Sequence, residues 1–215
     1  MISGLDKQAL QPINGLEFNE DAHAYSFYGK WLSTSVTSVL SFDMSEEAKL
    51  NIEATRHEWE PRGNTLHLAL ENFLTGAALL NTHPYDEWWE PIEKCWLFDG
   101  ATVLGTEVRL VDEKKSLAGS TDFLIRTKRG AVVLGDLKSV SSVESMKRRK
   151  PADAQLGAYL GMINAWYPDL YIDKCVTLVA APGQCRVLSS EPDDCYAKWQ
   201  DAWDRYQAHQ DQKPF

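Results

Sequence analysis

Apolar residues alternate with polar ones in three consecutive stretches, 103–111, 117–127 and 131–140. The polar turns Asp112-Glu113-Lys114-Lys115 and Lys128-Arg129-Gly130 separate them. Period-two alternation with turn residues between predicts an antiparallel meander. Ahead of it, 64–75 puts Leu66, Leu70, Phe73 and Leu74 on one helical face, with Gly76 as the stop and Pro61 and Gly63 breaking the chain upstream. The span 84–100, with Tyr85, Trp88, Trp89, Ile92 and Trp96, predicts an aromatic-rich helix. A helix at 152–165, a strand at 174–180 with a hairpin partner at 184–188, and a last helix at 193–209 follow the meander. Tyr196, Trp199, Trp203 and Tyr206 recur at helical spacing in that last helix.

The N-terminal fifth predicts a hairpin, 16–18 with 25–28, turning through Asn19-Glu20-Asp21-Ala22-His23. Ser33-Thr34-Ser35 caps a short helix carrying Val36, Val39 and Leu40. Another helix starts near Ser45, with Glu46 and Glu47 in the turn where they complement the macrodipole. The order helix, three strands, helix, strand implies an α/β fold around a mixed sheet. One domain is expected over 1–215: hairpin and helices in 1–60, a core in 61–180, and a closing strand and helix in 181–215. No repeat, linker or low-complexity tract interrupts it.

At 215 residues with 44% hydrophobic and 25% charged positions, the composition is that of a soluble globular protein. No apolar run approaches a membrane span, and Met1-Ile2-Ser3-Gly4-Leu5-Asp6 lacks the basic flank and apolar core of a signal peptide. An intracellular, cytoplasmic protein is expected. Four cysteines, Cys95, Cys175, Cys185 and Cys195, are too few and too scattered for a disulfide framework. The net charge of −9 disfavours a nucleic-acid binder on average. Against that average stands the basic cluster Lys147-Arg148-Arg149-Lys150, and an acidic site that takes up cations would itself deepen the negative count.

Two acids stand where burial makes charge expensive. Asp122 leads into Phe123-Leu124-Ile125, and Asp136 follows Val132-Val133-Leu134-Gly135. An isolated buried carboxylate costs several kcal/mol unless it is paired or coordinates a metal. Alternation puts Asp136 and Lys138 on one face of their strand, and the Lys128-Arg129-Gly130 hairpin brings Asp122 near them. Two carboxylates with a strand carbonyl, that of Leu137, give hard oxygen ligands for Mg²⁺ or Mn²⁺. Such a metal lowers the pKa of a bound water and neutralises charge on a phosphate, and a lysine alongside stabilises the developing charge. The competing reading is a buried Asp136–Lys138 ion pair. By contrast, Asp112-Glu113-Lys114 and Asp211-Gln212-Lys213 repeat the same triplet in polar, turn-like or terminal sequence and read as solvated charge.

Further candidates lie on helices. His67 and Glu71 share a face one turn apart, as do Gln155 and Tyr159. Each pair also fits a plain hydrogen-bonded core role. Glu107, beside Arg109, suits a surface ladder as well as a site, and the tryptophans at 88, 89, 96, 199 and 203 read as core.

Taken together, Arg62-Gly63-x-x-x-His67-x-x-x-Glu71, Gly119-x-x-Asp122, Asp136-x-Lys138 and Gln155-x-x-x-Tyr159 resemble the PD-(D/E)XK nuclease superfamily, in its RecB-like branch. The segments Ser35-Val36-Thr37-Ser38-Val39-Leu40 and Gln155-Leu156-Gly157-Ala158-Tyr159-Leu160-Gly161 look like those of mitochondrial genome maintenance exonucleases and related phage and bacterial exonucleases. The resemblance spans roughly 33–165. It implies a restriction-endonuclease-like α-β-β-β-α-β core and hydrolysis of DNA from its ends, in recombination or repair, with a recombination protein as a partner. It further implies that His67, Asp122 and Asp136 bind Mg²⁺ or Mn²⁺, with Leu137 adding a carbonyl and Glu71 or Glu107 a further acid. Lys138 becomes the catalytic lysine, while Gln155 and Tyr159 steady the site and the DNA backbone. Arg62 and Lys147, Arg148, Arg149 and Lys150 are the expected DNA contacts. An iron–sulfur cluster, held in some relatives by one early and three clustered late cysteines, is not expected, because the late cysteines here are ten apart. Open alternatives are an endonuclease of restriction or junction-resolving type, a ring-shaped processive trimer, a non-catalytic nucleic-acid-binding module, and a purely structural protein.

Overall fold

The computed structural model describes residues 9–22 and 24–212; His23 of the predicted first turn and Lys213 of the C-terminal triplet lie outside them. Strands β1 (Leu16–Asn19), β2 (Ala24–Phe27) and β3 (Lys30–Trp31) form a small antiparallel sheet, one strand beyond the predicted hairpin. A two-residue strand β4 (Thr34–Ser35) feeds α1 (Val36–Ser41), whose first turn is capped by the Ser35 hydroxyl accepting from the Ser38 amide. Ser45 does the same for α2 (Glu46–Ala54). Then come α3 (Arg56–Thr75), α4 (Asp86–Glu93), a 3-10 turn Trp96–Phe98, β5 (Thr102–Asp112), β6 (Leu117–Arg126) and β7 (Val132–Ser139). The chain continues through α5 (Val143–Arg148), α6 (Asp153–Trp166), β8 (Lys174–Ala181), β9 (Gln184–Ser190) and α7 (Pro192–Asp211).

The six-stranded main sheet is mixed. β5–β6, β6–β7 and β8–β9 are antiparallel, while β4–β6 and β7–β8 are parallel. Parallel neighbours need a crossover, which α5 and α6 supply between β7 and β8. Alternation along the strands sends side chains into two cores. Leu124 and Leu134 join Leu156, Leu160 and Trp199 under α6 and α7, and Phe123, Ile125, Val133 and Leu137 join Leu66, Leu70 and Ile92 under α3 and α4. α6 and α7 approach closely: a Cβ on Gly157 would sit 2.0 Å from the Cys195 carbonyl oxygen, so only glycine fits there.

One irregularity positions the site. β5 pairs with β6 from end to end, but the other edge of β6 is shared. Parallel β4 takes Leu117 and Ala118, and antiparallel β7 takes Phe123 to Arg126. In the gap, side chains replace the ladder: the Thr121 hydroxyl donates to the Gly135 carbonyl (2.9 Å), and the Leu137 amide donates to Asp122 Oδ2 (2.5 Å). The sheet splays at Asp122 and Asp136.

Three expectations are corrected. Pro61 and Gly63 do not break the chain; α3 runs through both and begins eight residues before 64. Proline removes one amide donor, but the carbonyl it deprives, on His57, lies in an exposed turn that water can reach. The aromatic span is a short helix and a 3-10 turn, and Trp96 is 70% exposed rather than core. Helix α5, capped by Ser142, was not expected because its six residues are too few to show a period.

Candidate metal centre and active site

His67 sits beside the buried Leu66 of α3, at the margin of that helix's apolar face. The helix aims its imidazole at the splay: Nδ1 is 3.2 Å from Asp122 Oδ1 and 3.9 Å from Glu107 Oε1. One donor atom from each of His67, Glu107 and Asp122 lies within 4.8 Å of the other two, a spacing that can hold a cation.

Glu107 reaches this point through a backbone exception. Its φ is +46° inside an eleven-residue strand, next to a register shift between Val103 and Gly105. A left-handed non-glycine residue costs about 1–2 kcal/mol, and such strain concentrates where function requires a geometry. Its neighbours Thr106 and Val108 pair with Phe123 and Thr121, so Glu107 stands opposite Asp122.

Asp136, 1% exposed, lies one step behind the trio. Its Oδ1 accepts from Lys138 Nζ (3.1 Å) and Gln155 Nε2 (2.8 Å), and Gln155 also contacts the Tyr159 hydroxyl (3.1 Å). Buried Oδ2 receives no hydrogen bond; Lys138 Nζ is 2.9 Å away but not aligned for one. An unsatisfied buried carboxylate oxygen beside a three-donor cluster suits a hard divalent cation, so the residues fit Mg²⁺ or Mn²⁺. The ion pair weighed as the plain alternative is present, but it leaves this oxygen unsatisfied.

The electrostatics agree in direction. Burial pushes the Asp136 carboxyl up, with Asp122 adding to the rise and Lys138 opposing it. Burial likewise raises Glu107 to about 7, with Asp122 reinforcing it and His67 opposing. Burial would depress His67, but the Asp122 carboxylate outweighs it and holds the imidazolium up to about 9. Tyr159, buried, is raised well above its ordinary value and stays neutral.

The other expected residues fall as follows. Gly119 is accounted for by Tyr159, because a Cβ there would lie 2.8 Å from the tyrosine ring. Tyr159 is 2% exposed, so it supports the site from beneath and has no face for a DNA backbone. Leu137 contributes its amide to Asp122, and its side chain is buried. Glu71 lies near enough to raise the Glu107 carboxyl but outside the three-donor group. Arg62, expected on the DNA path, is 7% exposed; its guanidinium lies over Trp88 and donates to the Ser139 hydroxyl. Lys147, Arg148, Arg149 and Lys150 are all exposed, on the connection between the strand bearing Asp136 and the helix bearing Gln155. The cysteines form two thiol contacts, Cys95 with Cys185 and Cys175 with Cys195. No local pattern singled out Tyr25, whose hydroxyl lies 3.0 Å from Ser120 Oγ across 95 residues of sequence.

No family model matches this chain, and no curated protein matches it. Among solved structures, the crystal structure of SSO0001 is similar, with a TM-score of 0.43 and 18% identity over 79% of this chain and 75% of that one. Similarity of that degree identifies neither a family nor an activity.

Proposed function

We propose that this protein is a divalent-metal-dependent deoxyribonuclease with a restriction-endonuclease-like core, hydrolysing phosphodiester bonds from DNA ends. The observation that carries the reading is the convergence of His67, Glu107 and Asp122 beside a buried, half-satisfied Asp136 that holds Lys138. The order α3, β5, β6, β7, α6, β8 and the Asp136-x-Lys138 spacing support it.

His67, Glu107, Asp122 and Asp136 would hold the Mg²⁺ or Mn²⁺, which supplies an acidified water and charge neutralisation at the phosphate. The chain's own groups do the rest. His67 Nδ1 must give up its proton before it can ligate, and Glu107 must ionise. Asp136 fixes the Lys138 ammonium, which then offers protons to the developing phosphorane oxygens or the attacking oxygen. Gln155, held by the Tyr159 hydroxyl, fixes Asp136 in turn. Exposed Lys147, Arg148, Arg149 and Lys150 would supply a phosphate-neutralising surface on a chain that is acidic on average.

The test is end-labelled single- and double-stranded DNA, linear against circular, with Mg²⁺, Mn²⁺ or chelator. Linear strands should shorten with metal while circles persist. Degraded circles would favour an internal cutter, and inertness of all substrates would refute hydrolysis.

A further inference from the structure

Helix α4 and the β8–β9 hairpin meet along one stripe. The Gly183 amide donates to the Glu87 carbonyl (2.8 Å), and the Cys185 sulfur lies 3.2 Å from the Pro91 carbonyl oxygen. Glu87, Pro91 and Cys95 follow at four-residue intervals, so they rise along one side of the helix and the turn that ends it. The Cys95 amide donates to the Ile92 carbonyl (3.0 Å), which keeps it in that turn. The stripe thus delivers Cys95 to Cys185: both belong to the core under α3 and α4, and their thiols hydrogen-bond.

A second pair repeats the contact without the access. Cys175 and Cys195 also touch, but both are 0% exposed and serve as small apolar fillers. Cys185, by contrast, is half-buried on the outermost strand of the sheet, and Cys95 next to it is 5% exposed. All four cysteines are free thiols. The Cys185 thiol, helped by the Leu97 amide, stabilises a Cys95 thiolate against the cost of burial and brings its pKa down to about 7. The reactive form is therefore available near neutrality, beside a thiol able to resolve its oxidation product.

We propose that Cys95 and Cys185 are an oxidisable dithiol, which hydrogen peroxide converts to a disulfide between α4 and β9. The Cys95 thiolate attacks one peroxide oxygen and the O–O bond breaks. A sulfenic acid forms, and the departing hydroxide takes a proton to become water. The Cys185 sulfur then attacks the Cys95 sulfur, and its thiol proton leaves with the displaced hydroxide as a second water. Two thiols lose two electrons, and one peroxide gains them. A thiol reductant reverses the bond by exchange through a mixed disulfide. No metal donor takes part, so the inference stands apart from the nuclease reading. Its structural effect reaches further: Trp88 of α4 covers Arg62 and donates to the Val140 carbonyl (2.7 Å), two residues past Lys138. The disulfide tethers the helix that holds the segment leaving β7.

The full chain is treated with hydrogen peroxide near neutral pH, alkylated while folded, digested without reductant and read by mass spectrometry. A Cys95–Cys185 cross-linked peptide, two hydrogens lighter than its parts, should appear, with Cys175 and Cys195 still reduced. Oxidised protein should melt at least about 5 °C above the reduced form, because the bond closes a long loop, and a thiol reductant should abolish the difference. The rate of cross-linking should rise about tenfold from pH 6 to 8 as Cys95 ionises. Cys185→Ser should leave a sulfenic acid on Cys95 that dimedone traps, whereas Cys95→Ser should leave Cys185 unlabelled. Absence of the cross-link in folded wild-type protein, equal oxidation of the two pairs, or a cross-link through Cys175 or Cys195 overturns the proposal. Those readouts use the wild-type chain and stand if a serine variant fails to fold.

Discussion

Loading the metal should expel protons, in a number set by pH. The His67 imidazolium is held up to about 9 and the Glu107 carboxyl up to about 7, yet both must be deprotonated to ligate. Near pH 6 binding therefore releases about two protons, near pH 8 about one, and above about pH 9.5 almost none. Summed over pH 6 to 8, that is an affinity gain of about a thousandfold if neither site were screened. The two side chains are 33% and 39% exposed, so solvent screening reduces the gain to on the order of a hundredfold, or about 3 kcal/mol. The fold's own stability runs the opposite way. The raised His67 value stabilises the metal-free protein below about pH 6.5 and is lost as pH rises through about 9. The raised Glu107 value contributes below about 4.5 and is lost by about 7. Mn²⁺ should thus raise the melting temperature more at pH 8 than at pH 6. Calorimetric titration with Mn²⁺ in two buffers of different ionisation enthalpy counts the protons directly. His67→Gln should remove one of them. Binding that releases no proton between pH 7 and 8 would refute His67 as a ligand.

Three further outcomes are expected. Asp122→Ala, Asp136→Ala and Lys138→Ala should each lower cleavage of labelled DNA by at least about a hundredfold, the scale of losing one electrostatic catalytic group; wild-type rates in any of them would contradict that residue's role. Gly157→Ala forces a methyl within 2.0 Å of a backbone oxygen and should cost at least ~2 kcal/mol, seen as a lower denaturation midpoint; an unchanged midpoint would mean that α6 and α7 separate freely. Neutralising Lys147, Arg148, Arg149 and Lys150 together should weaken DNA binding and flatten its salt dependence, and an unchanged slope would put the cluster off the substrate path.

Much of the site was legible because its residues are local exceptions to a pattern. Asp122 and Asp136 interrupt apolar alternation, and the helical pair Gln155 and Tyr159 meets as its spacing implies. The meander and the caps at Ser35 and Ser45 follow from period and turn chemistry alone. The start of α3 did not follow, because a proline in an exposed turn carries a smaller penalty than one in a packed turn, and exposure is a tertiary fact. Arg62 read as a surface contact for the same reason: nothing in Arg62-Gly63 shows that Trp88 will cover it.

Glu107 shows where such reading stops, and why Glu107→Gly is an informative variant. On a regular strand, alternation would decide which way its carboxylate points, and that rule leaves a surface ladder and a site equally open. The +46° φ breaks the rule, and no residue type nearby announces it; glutamate is a poor choice for a left-handed site, and Gly105 lies two positions away. A poor local choice that persists opposite a second carboxylate needs a compensating gain, and a shared cation provides one. Replacing Glu107 with glycine relieves the backbone and removes the repulsion with Asp122, so the metal-free protein should gain about 1 kcal/mol, or 2–4 °C in a chain of this size. The same change removes a ligand, so the stabilisation by Mn²⁺ should shrink. Opposite signs in the two melting curves would mark strain maintained for metal binding. A loss of stability in both would make the left-handed turn a packing requirement and remove Glu107 from the centre.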